Sequence, residues 1–474
     1  MRMWRPIRVL NQGEEDAVHR TALRILDEVG VVVEGEPLLE RLAAFGARAD
    51  LAAQRVTFPP PLVERFIADS EQLDWEAVEP SVAGVAGVYH GYYLRPETDE
   101  FEPWTLPTLL RYLKLAHHLE HTNGFISVTF QVRGVPEAAL EPFFHYLAFK
   151  LHGHSAAGAT DVRRCPCILE MCEAAASELG DDGRKLFRGV IYMISPLKLG
   201  HQEAEVFAFF AERGIRTGIG HMLSAGGTAP VTLAGALALN LAQDLFVNLV
   251  QRAWFGGREL GLGGSIAPLD MRTGMYPYGR PEQQMCNVAM AQMARRYGVG
   301  YGGHCGLSDA KRPSVEAGFQ KALGSIPSLL ACGQTSIACG LLSVDEVFSP
   351  VQMIIDDEMV GALQRFARGF EVSEETLAFE AIKEAGPGGC FLGTEHTARH
   401  HRAELWEPRL FAREMFAGWQ SHGARTDEDA ALGIYRDLLR RDPIPARISD
   451  ALERRLLDSI RRTTGVEIEP VEPG

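Results

Sequence analysis

Two short stretches of this chain gather residue types that can bind and orient a charged ligand. Asp270, Arg272, Tyr276, Tyr278, Arg280 and Glu282 crowd the first; His304, Asp309, Lys311 and Arg312 crowd the second. Each follows a glycine-rich apolar run, GLGGSIA from Gly261 and GVGYGGHCG from Gly298, and each leads into a helical pattern. That order is expected of strands in a parallel sheet whose following loops hold an active site. Glycines at strand ends let a ligand or a second backbone come close. The plainer alternative is a pair of ordinary βα units with solvated loops.

The elements that must position these residues alternate from about residue 105 onward. Candidate strands are Phe125–Val132, Ser155–Thr160, Val190–Ser195, Arg216–Gly220, Leu260–Ile266, Val299–Cys305 and Ser336–Leu341. Helical patterns lie between them at Glu203–Arg213, Ala229–Trp254, Glu282–Tyr297 and Val315–Leu323. This repetition predicts an α/β chain built as a TIM-type (β/α)8 barrel over residues 105–400. An open doubly wound sheet is the second choice; no GxGxxG turn stands between a strand and a helix to support it. Residues 1–104 read as an N-terminal helical and hairpin extension. Val18, Ala22, Ile25 and Val29 recur at helical spacing before Gly30, and Pro37–Phe45 ends on Gly46. Arg55–Phe58 reads as a strand, the prolines Pro59–Pro61 open a helix, and residues 80–103 read as hairpin material. Residues 401–474 read as a C-terminal helical extension whose amphipathic helices pack on the barrel or on another subunit.

The chain has 474 residues, 46% of them hydrophobic, and a net charge of −15. An acidic balance argues against nucleic acid or an anionic membrane as partner, and suits a soluble cytoplasmic enzyme. The start MRMWRPIRVL lacks the apolar core of a secretory signal. The most apolar stretch, Thr228–Val250, is interrupted by Asn240, Gln243, Asp244 and Asn248, so it reads as a buried helix rather than a membrane span. Eight cysteines form no disulfide framework.

Other clusters are weaker. HHLEH places His117 and His121 at i and i+4, but the glutamate is not where HExxH needs it, and a solvated helix face is expected. Cys165, Cys167 and Cys172 lack the second ligand pair of a structural zinc site and read as reduced thiols. Asp356, Asp357 and Glu358 read as the acidic start of a helix. Glu395, His396, His400 and His401 follow GPGGCFLG, either as a loop at the mouth of the site or as plain surface. No GxSxG elbow, Walker loop, kinase signature or cobalt-ligating D-x-H-x-x-G run is found.

Several ordered blocks carry a resemblance. HRTALRILDEVGVVVEGEPLLERLAAFGARADLAAQRVTFPPPLVERFIA, APVTLAGALAL, YGRPEQQ, GLSDAKRP, LLSVDEVFSPVQMIIDDEM and GPGGCFLGTEHTARHHRAELWEPRL span about residues 15–440. Together they resemble the trimethylamine methyltransferase superfamily of corrinoid-protein methyltransferases. The resemblance implies a TIM-type barrel and methyl transfer from a methylated amine to the cobalt(I) corrinoid of a separate corrinoid protein, so this chain itself would bind no cofactor. Relatives acting on trimethylamine carry pyrrolysine in or beside the place of SDAKRP, near Arg312; a plain arginine here is similar to the non-pyrrolysine branch, which demethylates quaternary amines such as betaines. Two departures stand out: Gln243 replaces an expected glutamate, and RPSVEAG lacks the aspartate that usually follows the proline.

From that resemblance follow the expected roles. Tyr276 and Tyr278 would cage the ammonium, since aromatic faces attract cations at roughly 0.5–2 kcal/mol per contact. Arg312 and Lys311, with Arg272 as second choice, would clamp a betaine carboxylate. His304 would orient substrate or gate the corrinoid, and Asp309 would cap the following turn or helix. Asp270 and Glu282 complete the substrate-binding candidates, with Phe391 and His396 reaching the mouth from their own loop. A homo-oligomer is expected. The alternatives are a metal-dependent barrel hydrolase or decarboxylase, and a non-catalytic quaternary-amine binding protein.

Overall fold

The computed structural model describes residues 7–87, 91–128, 131–180 and 182–472. The chain is a mixed α/β structure of many helices around several short ladders. Parallel pairing dominates its centre. Strand Ser81–Ala86 lies between Gln334–Ala338 and Thr122–Gly124, parallel to both. Ala157 then bridges Ser127 on one side and Arg188 on the other. Val190–Tyr192 pairs with Gly218–Gly220, Met222–Ala225 with Ser265–Pro268, and Gly261–Leu262 with Gly300–Tyr301, all parallel. Ala338 N–H donates to the Gly306 carbonyl at 3.0 Å, returning to the first ladder. These are separate small sheets, and among the described residues no single continuous sheet closes on itself.

The expected strands are therefore present but shorter. Leu260–Ile266 is divided where Gly264 takes φ +77°, with strand on either side. Ser155–Thr160 contributes bridges rather than a ladder. Of Phe125–Val132, residues 129 and 130 lie outside the described residues, as do 88–90 of the expected hairpin stretch. Within that stretch the antiparallel hairpin is Tyr92–Arg95 with Glu100–Pro103. Ser81–Ala86 behaves differently: every second residue is buried, and it joins the central parallel pairings.

Helices clothe these ladders. Leu233–Phe255 is long and apolar enough to cross a membrane by composition, yet its side chains pack within the fold. It touches helices Gln12–Arg24, Glu36–Phe45 and Pro281–Tyr297, so the N-terminal extension is seated on it. Gln12–Arg24 begins with a capping box between Asn11 and Glu14, satisfying backbone donors at its start. The two last helices, Asp427–Leu439 and Asp450–Thr464, also return to the core. There Glu453 accepts from Lys150 Nζ at 2.5 Å and from the Tyr146 hydroxyl.

Asp356, Asp357 and Glu358 do not start a helix. The helix Pro350–Arg368 begins at the Ser349 cap, and the three acids lie buried in its middle. Burial demands partners. Asp356 accepts from Lys321 at 2.7 Å, from Gln352 and from Gly340 N–H. Asp357 accepts from Arg409, His121 N–H and Thr122, and Glu358 from the Arg409 and Leu410 N–H groups. These carboxylates tie helices to strand ends.

Candidate active site

A cavity of about 520 Å³ opens where the parallel strands end. Val85, Ser127, Ala157, Tyr192, Met222, His304 and Ala338 each reach it at or just beyond the end of a central strand or bridge. Loops add Tyr278, Leu307, Leu341 and Asp345, and the first turns of helix His201–Ala211 add Gln202, Glu203 and Val206. A concave, mostly apolar site with a few convergent polar groups is how small ligands are held.

Tyr278 and His304 are the two sequence candidates that line this cavity. Their rings meet edge to face at 6.0 Å, and Tyr276 stands behind, 5.4 Å from Tyr278. The Tyr276 hydroxyl donates to Ser265 Oγ at 3.1 Å, and burial pushes its pKa up to about 12. His304 is accessible through the cavity although protein surrounds it, and that burial lowers its pKa. Asp309 does not cap the next helix; Ser314 does. Its carboxylate instead accepts the Tyr278 and Gly279 N–H groups at 2.7 and 2.8 Å, fixing the tyrosine loop. Gln320 in turn accepts from Asp309 N–H and Ser308.

The remaining candidates lie outside the cavity lining. Asp270 folds its own loop, accepting the Arg272 and Thr273 N–H groups and pairing with Arg280 at 2.9 Å; these backbone bonds lower its pKa. Glu282 sits in the first turn of Pro281–Tyr297. Lys311 is exposed and donates to the Asp309 carbonyl. Arg312 pairs with Asp99 of the antiparallel hairpin and stacks over Phe101, its side chain 42% exposed. Phe391 is exposed, and His396 lies against His400 at the start of helix Glu395–Glu404.

Sequence reasoning missed Asp345. It lines the cavity on the short turn Ser343–Asp345, in which all three residues take positive φ, 50°, 68° and 127°. None is glycine, and strain of this kind gathers at functional sites. The Tyr278 hydroxyl donates to Asp345 Oδ2 at 3.3 Å, while Oδ1 is buried without a hydrogen-bond partner among the described residues. Burial pushes the Asp345 pKa up to about 7, against the opposing pull of Tyr278 and Lys321. Phe125, Tyr192 and Glu203 of the lining were missed as well. The block LLSVDEVF contained the aspartate, but nothing in its spacing marks the turn.

Behind Met222 lies a buried polar network. Gln243 accepts Leu197 N–H at 2.9 Å and its amide reaches Ser195 and His221 Nδ1, both at 3.2 Å. His221 Nε2 meets Asp244 at 2.9 Å, and Asp244 also accepts Gly263 N–H and Asn240. The glutamine amide both donates and accepts here, which a carboxylate could not. All eight cysteines are unbridged. Among the described residues no group of three or more His, Cys, Asp or Glu side chains is arranged to hold a metal ion.

The model of the trimethylamine methyltransferase (MTTB) family matches residues 1–466. The chain belongs to this family. A glycine betaine methyltransferase from Desulfitobacterium hafniense (strain Y51) is 26% identical over 440 residues, covering 89% of this chain and 90% of the relative. A trimethylamine methyltransferase MttB from D. hafniense (strain DSM 10664 / DCB-2) is 25% identical over 452 residues, covering 92% and 90%. A trimethylamine methyltransferase MttB from Methanosarcina barkeri (strain Fusaro / DSM 804) is 30% identical over 275 residues, covering 58% and 55%. The protein is thus a methyltransferase of the MTTB family, and the likeness to its relatives in D. hafniense runs through cavity and extensions alike.

Proposed function

We propose that this protein transfers a methyl group from a quaternary amine to the corrinoid cobalt of a separate protein, holding the amine in the cavity at the strand ends. The observation that carries this reading is the cavity wall: the rings of Phe125, Tyr192 and Tyr278 together with the carboxyl groups of Glu203 and Asp345. Aromatic faces and acidic groups favour a cation. The depressed pKa of His304 keeps its ring neutral, so it does not repel one. At about 520 Å³ the cavity suits a small amine rather than a corrinoid macrocycle.

When docked, the corrinoid supplies cobalt(I), the electron pair that takes the methyl group. This chain's own residues orient the donor and keep water away. A quaternary nitrogen leaves as a neutral tertiary amine and needs no proton from the protein. Tyr278 is held by Asp309 and braced by Tyr276, so it presents its ring without first paying to order it. Val85, Val190, Ile191 and Leu341 keep the wall apolar.

The succession of parallel pairings supports reading the ladders as arcs of one TIM-type barrel. A cytoplasmic homo-oligomer completes the reading; its support is the exposed apolar side chains of the arm over residues 366–421. The test of function is to mix the purified chain with a reduced corrinoid protein and candidate amines and follow the cobalt(I) absorbance. Consumption of cobalt(I) that depends on both chain and amine is expected. Its absence with every tertiary and quaternary amine, in the presence of the cognate corrinoid protein, would overturn the reading.

A further inference from the structure

We infer that Asp345 is the counter-ion of the substrate's ammonium group, and that the substrate is a cation with an uncharged tail rather than a betaine. This rests on the methyl-transfer reading for what occupies the cavity. Among the described lining residues the charged groups are acidic, Glu203 and Asp345; no lysine or arginine is present. The nearest cation acting on Asp345 is Lys321, which is fully buried and already donates to Asp356 at 2.7 Å and to the Ala338 carbonyl at 2.6 Å. A substrate carboxylate would meet two acids and no clamp. Arg312 and Lys311, the clamp expected from the sequence, belong to the surface beyond the lining.

Asp345 is also left incomplete by the protein. Among the described residues one oxygen has the Tyr278 hydroxyl and the other has no hydrogen-bond partner, although a buried carboxylate ordinarily requires partners. The turn that carries it is strained at all three residues, so the position is held against local preference. The ionisable groups around it among the described residues are Tyr278, Glu346, Tyr192, Tyr276, Lys321, Glu203, His304 and Cys305. None of these supplies a free positive charge.

Binding is then an exchange: the ammonium enters and the Asp345 proton leaves to solvent. With its pKa near 7, the carboxylate fraction is about tenfold larger at pH 8 than at pH 6. Because nitrogen loses its charge during transfer, Asp345 stabilises the bound substrate more than the transition state. Its removal should raise KM while leaving kcat unchanged or higher, a split that simple loss of structure would not produce.

The probes are tetramethylammonium, choline and glycine betaine, titrated into the purified chain by calorimetry at pH 6 and pH 8. Two buffers of different ionisation enthalpy count the protons released. We expect the first two to bind about tenfold tighter at pH 8, each releasing close to one proton at pH 6 and only about a tenth of one at pH 8, and to bind at least tenfold tighter than glycine betaine. Asp345→Asn should abolish the pH dependence. Should that variant misfold, the proton count on the unaltered chain decides. Equal affinity for glycine betaine, or binding without proton release, would overturn the inference. Selective cation binding without methyl transfer to cobalt would leave it standing and sink the methyl-transfer reading instead; methyl transfer from glycine betaine alone would do the reverse.

Discussion

Two regions of this protein carry glycine-rich, histidine-bearing blocks that look alike in sequence and end in opposite physical states. Around GGHCGLSDAKRP, strand ends, buried acids and fixed loops close on a cavity. Around GPGGCFLGTEH, helices Glu374–Leu377, Phe379–Ala385, Glu395–Glu404 and Phe416–Ser421 contain no buried residue at all. The arm exposes Phe379, Leu392, Leu405, Met415 and Phe416, the last at 69%. Isolated helices this short are marginal in water. The comparison teaches that the first region is completed from within the chain, whereas the second leaves its apolar side chains uncovered.

The sharpest way to break that contrast is to remove an internal support of the first region. Lys321→Met deletes the cation of an ion pair in which both side chains are 0% exposed. The pair joins the helices Val315–Cys332 and Pro350–Arg368, and its members also bond the Ala338 carbonyl and Gly340 N–H at the end of strand Gln334–Ala338. Leaving Asp356 buried without its partner should cost about 3–5 kcal/mol. Urea unfolding measures it; a loss under about 1 kcal/mol would mean that the fold does not depend on this pair.

Next in size is the cost the protein bears for Asp345. Its folded pKa of about 7 lies above the roughly 4 of an unfolded aspartate. Between those values the folded state holds a proton that the unfolded state has released, so this group's contribution to stability falls as pH rises from about 4 to 7. Asp345→Asn should therefore be more stable than the unaltered chain at pH 8, by about 2 kcal/mol after allowing for partial contact with water, and equal to it near pH 4. Melting at both pH values checks this. A variant destabilised equally at both would place Asp345 among merely structural residues.

The contrast also explains what the sequence made legible. Helix Glu36–Phe45, with a proline inside its start and Gly46 at φ +115° after its end, is written in local chemistry, and so is Pro60–Ala68. Tyr278 and His304 were legible because they follow glycine-ended strands. Asp345 was not, because its importance lies in three consecutive positive φ values imposed by surrounding structure. Asp356–Glu358 misled for a related reason. Acids next to one another suggest a helix start by charge alone, whereas their partners Lys321, Arg409 and His121 come from distant parts of the chain. The strand Ser81–Ala86 was hidden because its partners, Gln334–Ala338 and Thr122–Gly124, lie on either side of it in space but far away in sequence.

For the second region the informative change is charge on the apolar arm. Leu405→Asp with Phe416→Asp alters two side chains that touch no core, so the fold of a single chain should be disturbed by no more than about 0.5 kcal/mol. If the arm is an interface between copies, the same pair of charges should weaken assembly at least about tenfold, close to 1.4 kcal/mol. Light scattering over a dilution series reads the mass. Identical masses for variant and unaltered chain at every concentration would leave the arm without a role in self-association.

The smallest effect is expected at Arg312. It belongs by sequence to the first region, and its ion pair with Asp99 has 42% and 74% side-chain exposure. A pair of that kind is screened by water and contributes at most about 1 kcal/mol. Its guanidinium also lies 4.6 Å from the Phe101 ring, so the side chain joins the hairpin to the loop and is not part of the cavity lining. Arg312→Ala should then leave kcat/KM within about threefold, since the lost contacts are surface ones. A rise in KM of a hundredfold for a carboxylate-bearing amine, with choline unaffected, would bring Arg312 into the cavity during turnover and make the hairpin a moving part of the site.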